Sequence, residues 1–177
     1  MSNRRFEVLP KQKQAELYKL YGNLDGFAYG QLNERITEDV TISYFDHWLD
    51  EDEFHLLDSV DIKDHLRRRE YFESFYKDLA NSCDLYSYRI FGKRRKNMKF
   101  RSFSNSKAMY DYFSSTDYKK GKSTYPKIII PEFNAVLHEG YDYCIYLGFN
   151  ETSDISPITD LAYRNGLHVL KCRDKQG

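Results

Sequence analysis

Apolar positions along the chain follow two periods, one near 3.6 and one of 2, and these divide it into helical and extended stretches. From Asp61 to Ser82, Ile62, Leu66, Phe72, Phe75, Tyr76 and Leu79 recur at helical spacing. Asp61 is placed to cap that helix, and Asp64 puts an acid in its first turn. Pro10 to Tyr21 reads as another helix, with Pro10 at its first position and Gly22 after its end. Asp25 to Glu34 reads as a short helix or a loop. Asn105 caps a helix over Ser106 to Ser114, and Ser156-Pro157 opens one that stops before Gly166.

Strict alternation marks the strands. DVTISYF, Asp39 to Phe45, is β-branched and aromatic. Leu85 to Phe91 and Met98 to Phe103 form a hairpin around the basic turn Gly92 to Asn97. Lys127 to Ile130, Asn134 to His138, Tyr141 to Phe149 and Leu167 to Cys172 complete the set. The second half therefore reads β-β-α-β-β-β-α-β, and the first half is mostly helical. This predicts an α+β fold, or an α/β one, as a single domain over 1–177. A mainly helical subregion, 1–82, would pack on a mixed sheet formed by 83–177.

Composition narrows the class. Of 177 residues 16% are aromatic, 16 of them Tyr, which excludes a disordered chain. Tyr packs like Phe but keeps a polar tip, so this richness suits either a core or an interface. Cys83, Cys144 and Cys172 are odd in number and form no C-x-x-C, which argues against a disulfide framework or a zinc cage. The first residues carry no apolar stretch of the signal-peptide kind, and no apolar run is long enough to span a bilayer, so the expected compartment is the cytoplasm and no membrane partner is expected.

Charge is balanced overall, with 27 basic and 27 acidic side chains, but it is segregated along the chain. Glu34 to Asp64 holds eleven acids against two bases; Arg89 to Lys107 holds eight bases and no acid. The blocks either neutralise each other inside the fold or present two faces to partners.

The acidic block surrounds the only Trp in HWLDEDEFH. A carboxylate-rich face with one large aromatic anchor is suited to a basic protein partner. Tyr44, Trp48, Asp50, Glu51, Asp52 and Glu53 are the candidate contact residues. His47 and His55 stand eight apart, without an i, i+4 histidine pair or a calcium-loop pattern, so no metal site is expected. In the basic block, cations interleave with aromatics, the pairing that neutralises phosphates and stacks bases. Arg94, Arg95, Lys96, Lys99, Phe100 and Arg101 are the candidates for nucleic-acid contact.

The stretch Tyr141 to Leu170 reads strand, loop, helix, strand. Its layout is similar to the closing unit of nucleotide-binding Rossmann-like domains, with Asp160 and Ala162 through Gly166 comparably placed. That resemblance implies a ligand site on the loop after Gly148, using Asn150, Thr152, Ser153 and Asp160. The G-x-G-x-x-G turn of those domains does not occur. Nor does a nucleophile elbow, a P-loop or an H-E-x-x-H helix, so no catalytic residue and no cofactor is assigned. The leading expectation is a non-enzymatic protein-binding module, such as an immunity or inhibitor-type accessory protein of bacterial or phage origin. The alternatives are a nucleic-acid-binding protein using the hairpin 89–107, and a nucleotide-type ligand-binding domain or small enzyme.

Overall fold

Eight strands form one sheet in the order β1-β4-β3-β5-β6-β7-β2-β8, with every neighbouring pair antiparallel. The strands are β1 Phe6–Val8, β2 Glu38–Ser43, β3 Tyr86–Phe91, β4 Asn97–Phe103, β5 Lys127–Ile130, β6 Ala135–Glu139, β7 Cys144–Phe149 and β8 His168–Lys171. The helices are α1 Lys11–Tyr21, α2 His55–Asp58, α3 Ile62–Ser82, α4 Ser106–Phe113 and α5 Ser156–Arg164. The computed structural model describes residues 5–22, 24, 33–58, 60–91, 97–114, 126–140 and 142–171.

Both faces of the sheet are covered. On one, α3, α4 and α5 bury Phe72, Phe75, Tyr76, Phe113 and Ile158 against Ile42, Ile128, Leu137, Ile145 and Leu147. On the other, Leu17 and Tyr21 of α1, with Leu24 and Ile36, cover Tyr88, Phe100, Ile129 and Val136. Each fully buried side chain of this size contributes about 1.5–3 kcal/mol. The Gln14 side chain ties α1 down: its Nε2 donates to the Phe100 carbonyl at 2.6 Å, and its Oε1 accepts from the Phe100 N–H at 3.1 Å. β1 stops pairing with β4 at Val8 opposite Arg101, so Gln14 supplies the donor and acceptor that the next strand residue would have offered.

Local signals act as the sequence implies. The Asp61 carboxylate accepts from the Asp64 N–H at 2.8 Å, and the Asn105 side-chain Oδ1 accepts from the Ala108 N–H at 2.8 Å. Gly166 has φ of 71°, the left-handed stop after α5.

The division into a helical half and a sheet half is overturned. β1 and β2 come from the first half, and β2 lies inside the sheet, with a six-residue ladder to β7 and a four-residue ladder to β8. No described pair is parallel, so the sheet is not mixed and the α/β reading falls with it. The reason is that sidedness, not sequence distance, selects a strand's neighbours. Val40 and Ile42 belong to the core beneath α3 and α5, and only an interior position covers them. The Rossmann-like unit is corrected by the same fact: β7 and β8 run in one direction but β2 lies between them, antiparallel to both. β7 is also shorter than the alternation suggests, because Tyr143 takes a φ of 54° and ends the extended run.

Candidate functional site

The chain leaves β2 at Ser43, whose Oγ accepts from the Phe45 N–H at 2.9 Å and bends the backbone. Asp46 to Asp58 then packs against β2, β7 and β8, reaching the Lys171 carbonyl and sharing a cavity with Ser43, Cys144 and Leu170. His47 holds this segment together, with Nδ1 2.6 Å from Asp46 Oδ1 and Nε2 3.0 Å from Glu53 Oε1. The Asp50 N–H donates to the Glu53 carboxylate at 3.0 Å, opening a single 3-10 turn over Glu51–Glu53. Trp48 Nε1 donates to the Lys171 carbonyl at 2.9 Å and pins the indole to edge strand β8. Arg68 Nη1 donates to the Leu56 carbonyl at 2.7 Å and anchors α2 to α3.

Between this segment and the sheet lies a cavity of about 400 Å³. Its walls include the rings of Phe45, Trp48 and Phe54, and Ser43 and Cys144 contribute from the strands. Asp58 and Asp142 bring carboxylates to it. That volume lies at the low end of the 300–1,000 Å³ range of small-ligand sites.

The electrostatics follow from the contacts. Hydrogen bonding to Asp46, then to Glu53, raises the His47 pKa. His47 in turn lowers that of Asp46, and the Asp50 N–H followed by His47 lowers that of Glu53. The segment beside the cavity thus carries two firmly ionised carboxylates, Asp46 and Glu53, held on His47. The Cys144 thiol donates to Asp142 at 2.6 Å; burial, then the Asp142 charge, push its pKa far up, so it is a neutral donor and not a nucleophile. Burial likewise pushes Cys83 up to about 12.

The sequence-derived candidates separate. Trp48, Asp50, Glu51, Asp52 and Glu53 fall on one segment, with Trp48 in the cavity wall. Tyr44 turns toward the other face and packs on Tyr71 with ring centroids 5.5 Å apart, under the Arg68 guanidinium. Arg94, Arg95 and Lys96 lie outside the described residues. Phe100 is fully buried beneath α1, which removes it as a stacking platform. Arg101 lies 3.7 Å from the centroid of the Phe6 ring and donates to Ser87 Oγ at 2.9 Å, whereas Lys99 is exposed opposite Arg89.

On the loop after Gly148, the donors a phosphate would use are engaged. Asn150 Oδ1 takes the Thr152 N–H and hydroxyl, and the Ser153 N–H reaches the Asn150 carbonyl. Asp154 occupies the start of α5, accepting from the Ser156 N–H at 2.9 Å. Asp160 is exposed on α5.

The two charge blocks do not meet among the described residues. The acidic segment packs at the β7-β2-β8 side of the sheet, and Arg89, Lys99 and Arg101 sit on β3 and β4, toward the other edge. Phe45, Phe54 and Asp58 were within reach of sequence reasoning, since they flank Trp48. Asp142, Cys144 and Leu170 were not, because only strand pairing brings them there. Among the described residues, no helix is long and apolar enough to cross a membrane, and no group of metal-ligating side chains forms. Comparison of the chain with protein-family models, with curated proteins and with solved structures finds no match.

Proposed function

We propose that this chain is a non-enzymatic protein-binding module of the immunity or inhibitor type, and that a basic partner docks on the segment Phe45 to Asp58. One observation carries the reading: an aromatic-walled cavity opens beside a row of exposed carboxylates. Interfaces place their anchors in such pockets and use rim charges to steer the encounter. Trp48 is held by its hydrogen bond to Lys171 before any partner arrives, so little side-chain entropy is lost on binding.

The test begins with a tagged pull-down, nuclease-treated, to recover the partner. Association is then timed against Glu51→Lys/Asp52→Lys, a pair whose exposed side chains can be reversed without opening the His47 clamp. The expected outcome is an on-rate at least about tenfold lower at low salt, with the gap closing as salt rises. An unchanged on-rate refutes the assignment.

A second reading, nucleic-acid binding, is favoured by one specific observation. Arg89 and Lys99 stand directly opposite each other with like charge, and Phe91, 43% exposed, shares their face. Like charges across a ladder are unfavourable unless an anion joins them. Binding to a single-stranded oligonucleotide should weaken steeply with salt and be lost in Arg89→Glu/Lys99→Glu. No binding at low salt ends this reading.

A further inference from the structure

We infer that the cavity beside Trp48 is a receptacle for one guanidinium group, an arginine side chain presented by the partner protein. The inference rests on the binding-module reading and names the chemistry the pocket selects. Aromatic faces attract cations through their negative quadrupole, and three rings, Phe45, Trp48 and Phe54, line this one space. An apolar partner would be served by the rings alone, but Asp58 and Asp142 also line the cavity and would gain no counter-ion from it. A cation with an apolar stem satisfies both kinds of wall.

Guanidinium fits better than ammonium. It is planar, so it stacks on rings, and its fork of donors meets a carboxylate through two bonds. The fold already holds such an arrangement next door. The Arg68 guanidinium lies 5.3 Å from the centroids of Tyr44 and Phe45 and 4.9 Å from that of Tyr143. Phe45 is common to both groups. The charge lining the cavity favours a cation: Asp58 and Asp142 contribute carboxylates, and the one basic side chain in the lining, His47, is already tied to Asp46 and Glu53. The Cys144 thiol, hydrogen-bonded to Asp142, fixes that carboxylate in place without adding charge.

The probe is a capped arginine, Nα-acetyl-arginine methylamide, titrated into the full chain, with Trp48 fluorescence as the readout because it is the only tryptophan. The expected result is a saturable change at millimolar concentration, at least about fivefold weaker for the capped lysine and absent for capped citrulline, the neutral isostere. Asp58→Asn and Phe54→Ala should each weaken arginine binding by about fivefold or more. Both residues are largely exposed, Phe54 at 49%, so circular dichroism should report an intact fold. Equal responses to arginine and citrulline, a lysine response as strong as arginine's, or no response overturns the inference. The two proposals fail separately. If free arginine does not bind but Glu51→Lys/Asp52→Lys still slows the partner, the guanidinium pocket is wrong and the docking surface stands. If arginine saturates the pocket and the partner's on-rate ignores those reversals, the docking surface is wrong and the pocket stands.

Discussion

Replacing Arg69 with methionine tests the buried network under the sheet. Arg69, Tyr76 and Glu139 are all out of water. Arg69 Nη1 donates to Glu139 Oε1, Nη2 donates to the Phe113 carbonyl at 2.8 Å, and the Tyr76 hydroxyl donates to Glu139 Oε2 at 2.7 Å. One guanidinium therefore neutralises a buried carboxylate and caps the last turn of α4. Methionine keeps most of the volume but leaves Glu139 with Tyr76 as its donor among the described side chains and takes the Arg69 donor away from the Phe113 carbonyl. Breaking a buried pair from one side costs about 3–5 kcal/mol, and protonation of the stranded carboxyl limits the loss, so about 4 kcal/mol is expected at pH 7. With a slope of about 2–3 kcal/mol per molar in urea, the midpoint should fall by between about 1 and 2 M.

The pH dependence supplies a signature. Burial pushes the Glu139 carboxyl above its ordinary range, and Arg69 and Tyr76 oppose that push. Without Arg69 the folded-state value rises further while the unfolded value stays put. The folded variant then holds a proton that the unfolded chain releases, so its stability deficit is fullest at neutral pH and shrinks as pH falls toward about 4.3. Urea melts of the wild type, Arg69→Met, Glu139→Leu and the double variant at two pH values complete the cycle. The double variant should recover about 2 kcal/mol relative to Arg69→Met. A loss under about 1 kcal/mol for Arg69→Met, or a double variant no better than it, refutes the reasoning.

His138 on β6 is half-buried, with Nδ1 out of water and without a hydrogen-bond partner, and burial, with a smaller contribution from Lys127, brings its pKa down to about 4. Because the folded value lies below the unfolded one, stability present above about pH 6.5 should fall by about 3 kcal/mol as pH drops through 4; His138→Leu should flatten that loss in thermal melts, and an unchanged acid slope would contradict it. His47 has a raised pKa, so its hold on the acidic segment is complete below its ordinary value and is released as pH rises through the raised one. Glu53→Gln should lower the His47 pKa seen by NMR while leaving it above the ordinary value, since Asp46 remains; no movement would break the clamp argument.

Local features were legible in the sequence and long-range ones were not. The stripe and cap of α3, the cap of α4 and the stop at Gly166 each depend on residues within a few positions. β1 has three residues, too few to show a period, and its place depends on Phe6 meeting Phe103. Alternation identified a strand near Asp39 but not its partners, which lie about a hundred residues on. Phe100 shows the same limit. Its neighbours mark it as one member of an alternating strand, but which face is covered depends on α1, and α1 covers it. For the site, Trp48 among carboxylates was visible as composition. The cavity required β2 to bring Ser43 beside Cys144 and Thr41 beside Leu170.

The interior position of β2 also sets a schedule for synthesis. At about 5–20 residues per second, a ribosome needs roughly 6–25 s to travel from Ser43 to Lys171, the ends of β2 and β8. For most of that interval, until β7 has been made, β2 lacks both of its partners and is an unpaired strand with β-branched residues, the kind of segment that joins neighbouring nascent chains. The carboxylates that follow it, from Asp46 to Glu53, are placed as gatekeepers, since like charge keeps such strands apart on a crowded polysome. The same acids that later flank the cavity thus protect the strand that builds it, and the cavity itself comes into being only when β8 arrives.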